Sequence, residues 1–152
     1  MNILIKQAEI SEFDAVLNVD PFEKLHHEKA IKSAIERGEC FAAWVDDKIQ
    51  AFALISRSFF GFEFIDLLAV AEKRRRQGIG RAMLDYLYGA CETMKLFTST
   101  NQSNIPMQKL LDKAGFSYCG IIDALDEGDP ELFYVRYVFT VTGTDVTKSP
   151  LS

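Results

Sequence analysis

Residues 74–87 read RRRQGIGRAMLDYL and mark a junction between a strand and a helix. The preceding residues 62–70 are apolar nearly throughout, which predicts a strand covered on both faces. From there on, the apolar positions follow a helical stripe of Ile79, Met83, Leu84 and Leu87. The first amides of a helix have no internal partner, and the helix dipole places roughly half a positive charge beside them. Glycines admit a large anion to this backbone and arginines add charge, so the junction predicts a phosphate site rather than a tight turn with solvated arginines.

Outward from this junction, hydrophobic periodicity predicts an alternation of strands and helices. Ser11 is the predicted N-cap of the first helix, and a polar turn at residues 46–48 joins two strands. The order of elements indicates an α/β fold with one mostly antiparallel sheet. Strands are predicted at residues 2–8, 40–45, 48–60, 62–70, 94–100, 115–122 and 132–141, and helices at residues 12–19, 27–38, 79–87 and 104–115.

Composition sets limits on the class of protein. The 152 residues, 48% of them hydrophobic, fit one domain, predicted at residues 1–142 with a flexible tail at 143–152. A net charge of −5 argues against a protein that binds mainly to nucleic acid or to an anionic membrane, because both need a broad basic surface. Neither partner is therefore predicted. The first ten residues lack the apolar run of a signal peptide, and the three cysteines show no paired spacing. We therefore expect a cytoplasmic protein without a metal site.

The segment LLAVAEKRRRQGIGRAML, residues 67–84, resembles the acetyl-CoA-binding core of the GNAT N-acetyltransferases. The family signature, Arg/Gln-x-x-Gly-x-Gly/Ala after a strand ending in an apolar-x-Val triplet, matches Arg75, Gly78 and Gly80. A second match is the Asn-led helix that begins at Asn104 and ends at Gly115-Phe116. The resemblance covers about residues 2 to 141. It implies about seven strands, about four helices and two central parallel strands that splay apart.

The resemblance also implies a binding site for acetyl-CoA as co-substrate. The backbone of Leu68, Ala69 and Val70 would pair with the pantetheine arm as an added strand. The pyrophosphate would rest on the amides of residues 76–81. The implied cofactor-binding residues are Leu68, Ala69, Val70, Arg75, Arg76, Gln77, Gly78, Ile79, Gly80, Arg81 and Asn104.

Acetyl transfer to an amine requires a base, because an ammonium with a pKa near 10.4 is protonated at neutral pH. Asp66 is the candidate base, since it shares a strand face with Leu68 and Val70 and resembles the proposed base of polyamine acetyltransferases. Its alternative role is a hydrogen bond to a neighbouring loop. Leu111 occupies the position of the family's usual acid, a tyrosine, which leaves the acid unassigned between Tyr118 and Tyr134. Ser99 replaces the glutamate of ribosomal-protein acetyltransferases, which counts against that acceptor.

The acidic segment DALDEGDPEL, residues 123–132, precedes the last strand. Its clustered carboxylates repel one another unless a cation joins them, so Asp126, Glu127 and Asp129 are candidate ligands of a cationic acceptor. A solvated turn is the alternative. The expected activity is N-acetyl transfer from acetyl-CoA to a primary amine of a small molecule or peptide. A non-catalytic acyl-CoA-binding module or sensor is the second hypothesis, and the oligomeric state stays open, with a homodimer as one option.

Overall fold

The computed structural model describes the backbone of residues 1–142 and 145–148 and the side chains of residues 1–139. Nine strands and four helices are found in this part of the chain. The strands are β1 Ile3–Gln7, β2 Cys40–Val45, β3 Lys48–Phe59, β4 Phe62–Val70, β5 Lys95–Asn101, β6 Ser117–Ile122, β7 Glu131–Tyr137, β8 Phe139–Thr142 and β9 Asp145–Lys148. The helices are α1 Phe13–Leu17, α2 Lys24–Glu36, α3 Ile79–Ala90 and α4 Ile105–Lys113.

Strands β1 to β7 form one sheet in the order β1-β2-β3-β4-β5-β7-β6. Strand β4 runs parallel to β5, whereas β1–β2, β2–β3, β5–β7 and β6–β7 are antiparallel. The parallel pairing joins Glu63–Ile65 to Leu96–Thr98, in the first halves of both strands. The predicted fold class, a mixed and mostly antiparallel sheet with four helices, is therefore confirmed.

Contacts divide the chain into two units, which we call unit 1 and unit 2. Unit 1 comprises Met1–Ile55 and Asp66–Tyr86, and unit 2 comprises Ser56–Ile65 and Leu87–Ser152. In unit 1, α1 and α2 supply Val16, Ile31 and other apolar side chains to a core that includes Phe52 of β3. The burial of these side chains supplies the main stabilisation of the unit.

The two-residue turn between β2 and β3 follows the predicted pattern. Asp46 and Asp47 have φ angles of 51° and 65°, so both are left-handed, as a type I′ hairpin requires. Aspartate tolerates this conformation better than most residues because its short side chain can hydrogen-bond locally. The predicted polar turn is therefore confirmed at Asp46–Asp47, whereas Lys48 is the first residue of β3.

Two local predictions were wrong. Ser11 is not an N-cap, because it lies inside a 3-10 turn at Ile10–Glu12 whose start is held by a bond from the Glu9 amide to the Glu12 carboxylate. Strand β4 is not covered on both faces, since Ile65 is its one fully buried residue and Asp66 is exposed. Its apolar run arises instead because Phe62 and Phe64 belong to a half-buried aromatic cluster.

The C-terminal predictions differ in outcome. The predicted strand at residues 132–141 is two strands, β7 and β8, which are separated at Val138. Residues 145–148 form β9, which pairs with β8 in a two-stranded sheet. The other residues of the predicted tail, 143–144 and 149–152, lie outside the described residues. The domain boundary at residue 142 stays a prediction, and no described helix is long and apolar enough to cross a bilayer.

The three cysteines are free thiols that differ in exposure, which gives a first testable prediction. Cys40 and Cys91 are buried, whereas Cys119 is exposed. Burial, reinforced by Glu12, raises the pKa of Cys40 to about 12, so its reactive thiolate is scarce even at pH 9. Titration of the native protein with a thiol-reactive dye at pH 8 should therefore modify Cys119 rapidly and leave Cys40 and Cys91 unmodified until denaturant is added. Rapid modification of a second thiol in the native protein would contradict this burial.

Candidate functional site

The glycine and arginine segment of unit 1 has an irregular backbone between β4 and α3. A 3-10 turn at Glu72–Arg74 follows the strand, and Arg75 is extended. Arg76 and Gly78 have φ angles of 63° and 86°. A glycine adopts such an angle without strain, whereas an arginine in this region costs on the order of 1–2 kcal/mol. Strain of this kind is concentrated at functional sites.

The amides of this segment point to anion binding. The first backbone bond of α3 is donated by the Ala82 amide to the Gly78 carbonyl at 3.0 Å. In the part of the chain that the structure describes, no hydrogen bond is donated by the amides of residues 76–81. These donors lie at the positive end of the helix dipole, where an anion is stabilised. The structure therefore retains the donors that the sequence predicted for a phosphate group.

The two glycines of the segment act in different ways. Gly78 needs its positive φ, and a Cβ at this position would meet no protein atom within 4 Å. Gly80 lies inside the first turn of α3, where it keeps the backbone free of a side chain. Ile79 between them is buried and anchors the helix start. The loop therefore keeps an open approach to its amides.

The charges of the segment are not equivalent. Arg74 pairs with Asp46 at 3.4 Å, and Arg81 pairs with Asp85 at 3.2 Å. Arg75 donates from Nε to the Val70 carbonyl at 3.3 Å. Arg76 is exposed and has no ion-pair or hydrogen-bond partner among the described side chains. Arg76 is therefore the arginine of this loop with its whole guanidinium available to a ligand.

Gln77 and the end of β4 complete the predicted cofactor residues of unit 1. The Gln77 amide group donates from Nε2 to the Lys73 carbonyl at 3.2 Å and thereby fixes the turn. Leu67 and Ala69 pack against the core of unit 1. Because side chains alternate along a strand, Asp66, Leu68 and Val70 lie on the other face. This arrangement agrees with the face predicted for Asp66, although its role as a base stays a prediction.

Asn104 and Leu111 lie in unit 2, on the helix α4. The Asn104 side chain accepts a bond from the Met107 amide at 3.2 Å, so it is the N-cap of α4. Its predicted contact with the cofactor arm stays a prediction beside this structural role. Leu111 is fully buried, so the position of the family's acid is part of the hydrophobic core.

Tyr118 and Tyr134, the two candidates to replace this acid, lie opposite each other on neighbouring strands of unit 2. Tyr118 of β6 is exposed and contacts Tyr134 of β7 edge to face, with ring centroids 6.1 Å apart. Burial, with smaller effects from Asp112 and Tyr118, raises the pKa of Tyr134. Tyr134 therefore holds its proton more tightly than an ordinary tyrosine, which makes it a weaker general acid.

The acidic segment of unit 2 is tied to the loop between β5 and α4. Asp126 accepts a bond from Asn101 Nδ2 at 2.9 Å. Asp129 accepts bonds from the Ser103 amide at 3.0 Å and from its hydroxyl at 2.6 Å. Glu127 is exposed. Asp126 and Asp129 thus have structural partners that the sequence did not reveal, and their predicted contact with a cationic acceptor stays a prediction. No cluster of metal-ligating side chains occurs among the described residues.

Comparison with known proteins identifies the family. The model of the acetyltransferase (GNAT) family matches residues 5–116. The chain belongs to the GNAT acetyltransferase family. Family membership supports an acyltransferase enzyme. No match was found among curated proteins.

Solved GNAT structures resemble this acetyltransferase along most of its length. A GNAT acetyltransferase from Bacillus cereus ATCC 10987 is 32% identical with a TM-score of 0.85, over 90% of this chain and 98% of that chain. A GNAT acetyltransferase from Streptococcus agalactiae 2603 is 16% identical with a TM-score of 0.77, over 89% and 95%. The ribosomal-protein-S18-alanine N-acetyltransferase from Escherichia coli is 20% identical with a TM-score of 0.75, over 93% and 97%. The last two likenesses concern the fold alone.

Gly78 permits a matched test of the loop. In Gly78→Ala, the left-handed φ should cost about 1–2 kcal/mol or drive the loop to another conformation, which displaces the amides. We expect CoA affinity, measured by calorimetry, to fall at least about tenfold, since 1.4 kcal/mol is a factor of ten. Gly89→Ala in the last turn of the same helix is the control, because a Cβ there meets open space and a positive φ is absent. Equal CoA affinities of the two variants would contradict a binding role for this loop.

Proposed function

We propose that this GNAT acetyltransferase moves an acetyl group from acetyl-CoA to the primary amine of a small molecule or peptide. The observation that supports the proposal is the set of amides at residues 76–81, at the start of α3, that donate no hydrogen bond within the described part of the chain. These donors, with Arg76, suit the diphosphate of CoA in both charge and hydrogen-bonding capacity. The backbone of Leu68–Val70 would pair with the pantetheine arm.

The acceptor must lose a proton before it attacks. A primary ammonium with a pKa near 10.4 costs roughly 4–5 kcal/mol to deprotonate at pH 7. We assign this step to Asp66, whose exposed carboxylate would accept the proton as the amine nitrogen attacks the acetyl carbon. Bound acetyl-CoA supplies the thioester, and its thiolate is a tolerable leaving group because a thiol has a pKa near 8.5. The reaction therefore does not depend on an acid at Leu111.

The test is the release of CoA thiol from acetyl-CoA, followed with a thiol-detecting dye. A panel of arylalkylamines, polyamines, amino acids, aminoglycosides and peptides is offered at pH 8. Release that depends on an amine supports the proposal. Release without any amine indicates a hydrolase, and no release with any member of the panel, while CoA binds, indicates a module without transferase activity. Either of these results would overturn the proposed reaction.

We also propose a cytoplasmic location without nucleic-acid or membrane partners. The support is the net charge of −5 and the presence of three free thiols, two of them buried. Retention on heparin or on anionic vesicles at physiological salt would contradict it, since both mimic polyanionic partners.

A further inference from the structure

Glu131 and Ser99 form a polar pair on the sheet of unit 2. The Ser99 hydroxyl donates to Glu131 Oε2 at 2.7 Å, and both residues are half-buried. In the antiparallel pairing of β5 with β7, Ser99 lies opposite Phe133 and Asn101 lies opposite Glu131. Because paired residues share a face and alternate residues repeat it, these four side chains project from the same side of the sheet.

Glu131 differs from the other carboxylates of the acidic segment. Asp126 and Asp129 are engaged by Asn101 and Ser103, on the loop that follows β5. Glu131 is fixed at the start of a strand, and its second oxygen, Oε1, has no hydrogen-bond partner among the described side chains. No lysine or arginine in residues 1–139 forms an ion pair with it. A half-buried carboxylate therefore retains acceptor capacity and lacks a counter-charge.

An aromatic face lies beside this carboxylate. Phe133 is next to Glu131 on the same side of β7, and Phe97 is next to Ser99 on the same side of β5. Phe59 stacks on Phe133 with centroids 5.8 Å apart, and it also contacts Phe97 at 5.0 Å. The aromatic face consists of Phe59, Phe62, Phe64, Phe97 and Phe133, all of them half-buried.

We propose that Glu131, Ser99 and Phe133 form a binding subsite for an organic primary ammonium with an apolar body, of the arylalkylamine class. The carboxylate would pair with the ammonium, and the electron-rich ring face of Phe133 would attract the same charge. The remaining aromatic face would cover the body of the ligand, because burial of apolar surface is favourable. The inference rests on the proposed function, because arylalkylamines belong to the primary amines that are proposed there as acetyl acceptors.

The test compares two ligands that differ only in the terminal group, a charged ammonium against a neutral hydroxyl. Calorimetry measures binding of 2-phenylethylamine and of 2-phenylethanol to the full-length protein at pH 7. The wild type should bind the amine about 10- to 100-fold more tightly, the range expected for a hydrogen-bonded charge. In Glu131→Gln, this preference should disappear. Asp123→Asn is the matched control, because it removes an exposed charge from the same segment and should preserve the preference.

Three results would overturn the subsite. The first is equal affinity of the wild type for the amine and the alcohol, and the second is an unchanged preference for the amine in Glu131→Gln. The third is that the protein elutes as a dimer and does not bind the amine, which would indicate that a second copy covers the aromatic face. If Glu131→Gln does not fold, the wild-type comparison of the two ligands still decides. The measurement does not require turnover. A failure of the CoA-thiol assay with intact amine preference therefore refutes the acetyl transfer alone, and the reverse result refutes the subsite alone.

Discussion

Asp66→Asn is expected to reduce kcat for amine acetylation at pH 7 by about 10²–10⁴-fold, the usual contribution of a general base. Asparagine has nearly the same shape as aspartate but does not accept a proton, so CoA binding should persist. The Asp66 side chain is exposed, and urea unfolding of the variant is the control that separates a loss of the base from a loss of stability. The measurement is the initial rate of CoA-thiol release at saturating acetyl-CoA.

The pH dependence of the same variant distinguishes a base from a structural contact. Without the carboxylate, the acceptor must reach its neutral form by itself, which becomes easier as the pH approaches the amine's own pKa. The deficit of Asp66→Asn should therefore shrink as pH rises from 7 to 10, and its rate profile should shift toward higher pH. A profile that coincides with that of the wild type would exclude Asp66 as the base. A constant deficit at every pH would indicate a contact that positions another group.

The second large effect is expected at Arg136, a charged residue that is only 5% exposed. Its Nη1 donates to the Ala114 carbonyl at the end of α4 at 2.6 Å, and its guanidinium carbon lies 3.7 Å from the centre of the Tyr88 ring. Its Nη2 is buried without a hydrogen-bond partner among the described residues. The residue thus joins Tyr88, near the end of α3, to α4 and β7, and all three contacts lie within unit 2. A buried cation of this kind is held by the helix dipole and by the tyrosine ring.

Arg136→Ala removes these contacts and leaves a cavity, so the free energy of unfolding should fall by about 2–5 kcal/mol, as for other large-to-small substitutions in cores. Arg136→Met keeps most of the side-chain volume but removes the charge and its desolvation cost. We expect the methionine variant to lose much less stability than the alanine variant in urea unfolding. Equal losses in both variants would show that the charge, rather than packing, stabilises the site.

The sequence predicted those features that depend on residues close together in the chain. The helix at α3 and the turn at Asp46–Asp47 follow from local spacing and from the conformational preferences of few residues. The loop around Gly78 could also be predicted, because its glycines, its arginines and the start of the helix lie within a few positions of one another in the sequence. The cap of the first helix was missed, since Glu9 and Glu12 compete with Ser11 for the same turn.

Contacts between residues that are far apart in the chain could not be predicted from the sequence. The bond between Ser99 and Glu131 spans 32 positions and depends on the register of β5 against β7. The hydrogen bond from Asn101 to Asp126 likewise depends on the folded sheet. The sequence alone therefore does not show that part of the acidic segment has hydrogen-bond partners. Arg136 reads as a polar position in an apolar strand, and only the packed helices show that it is buried. Such features need the folded sheet, because cross-strand pairs are set by tertiary structure.

The left-handed backbone of Arg76 has a consequence for the way this loop tolerates change. Glycine would relieve the conformation, so Arg76 costs the fold roughly 1–2 kcal/mol that contacts of its guanidinium with a bound ligand could offset. Arg76→Gly should accordingly raise the free energy of unfolding and lower the affinity for CoA. A single substitution would then raise the melting temperature and weaken ligand binding, as in other proteins in which activity is maintained at a cost in stability.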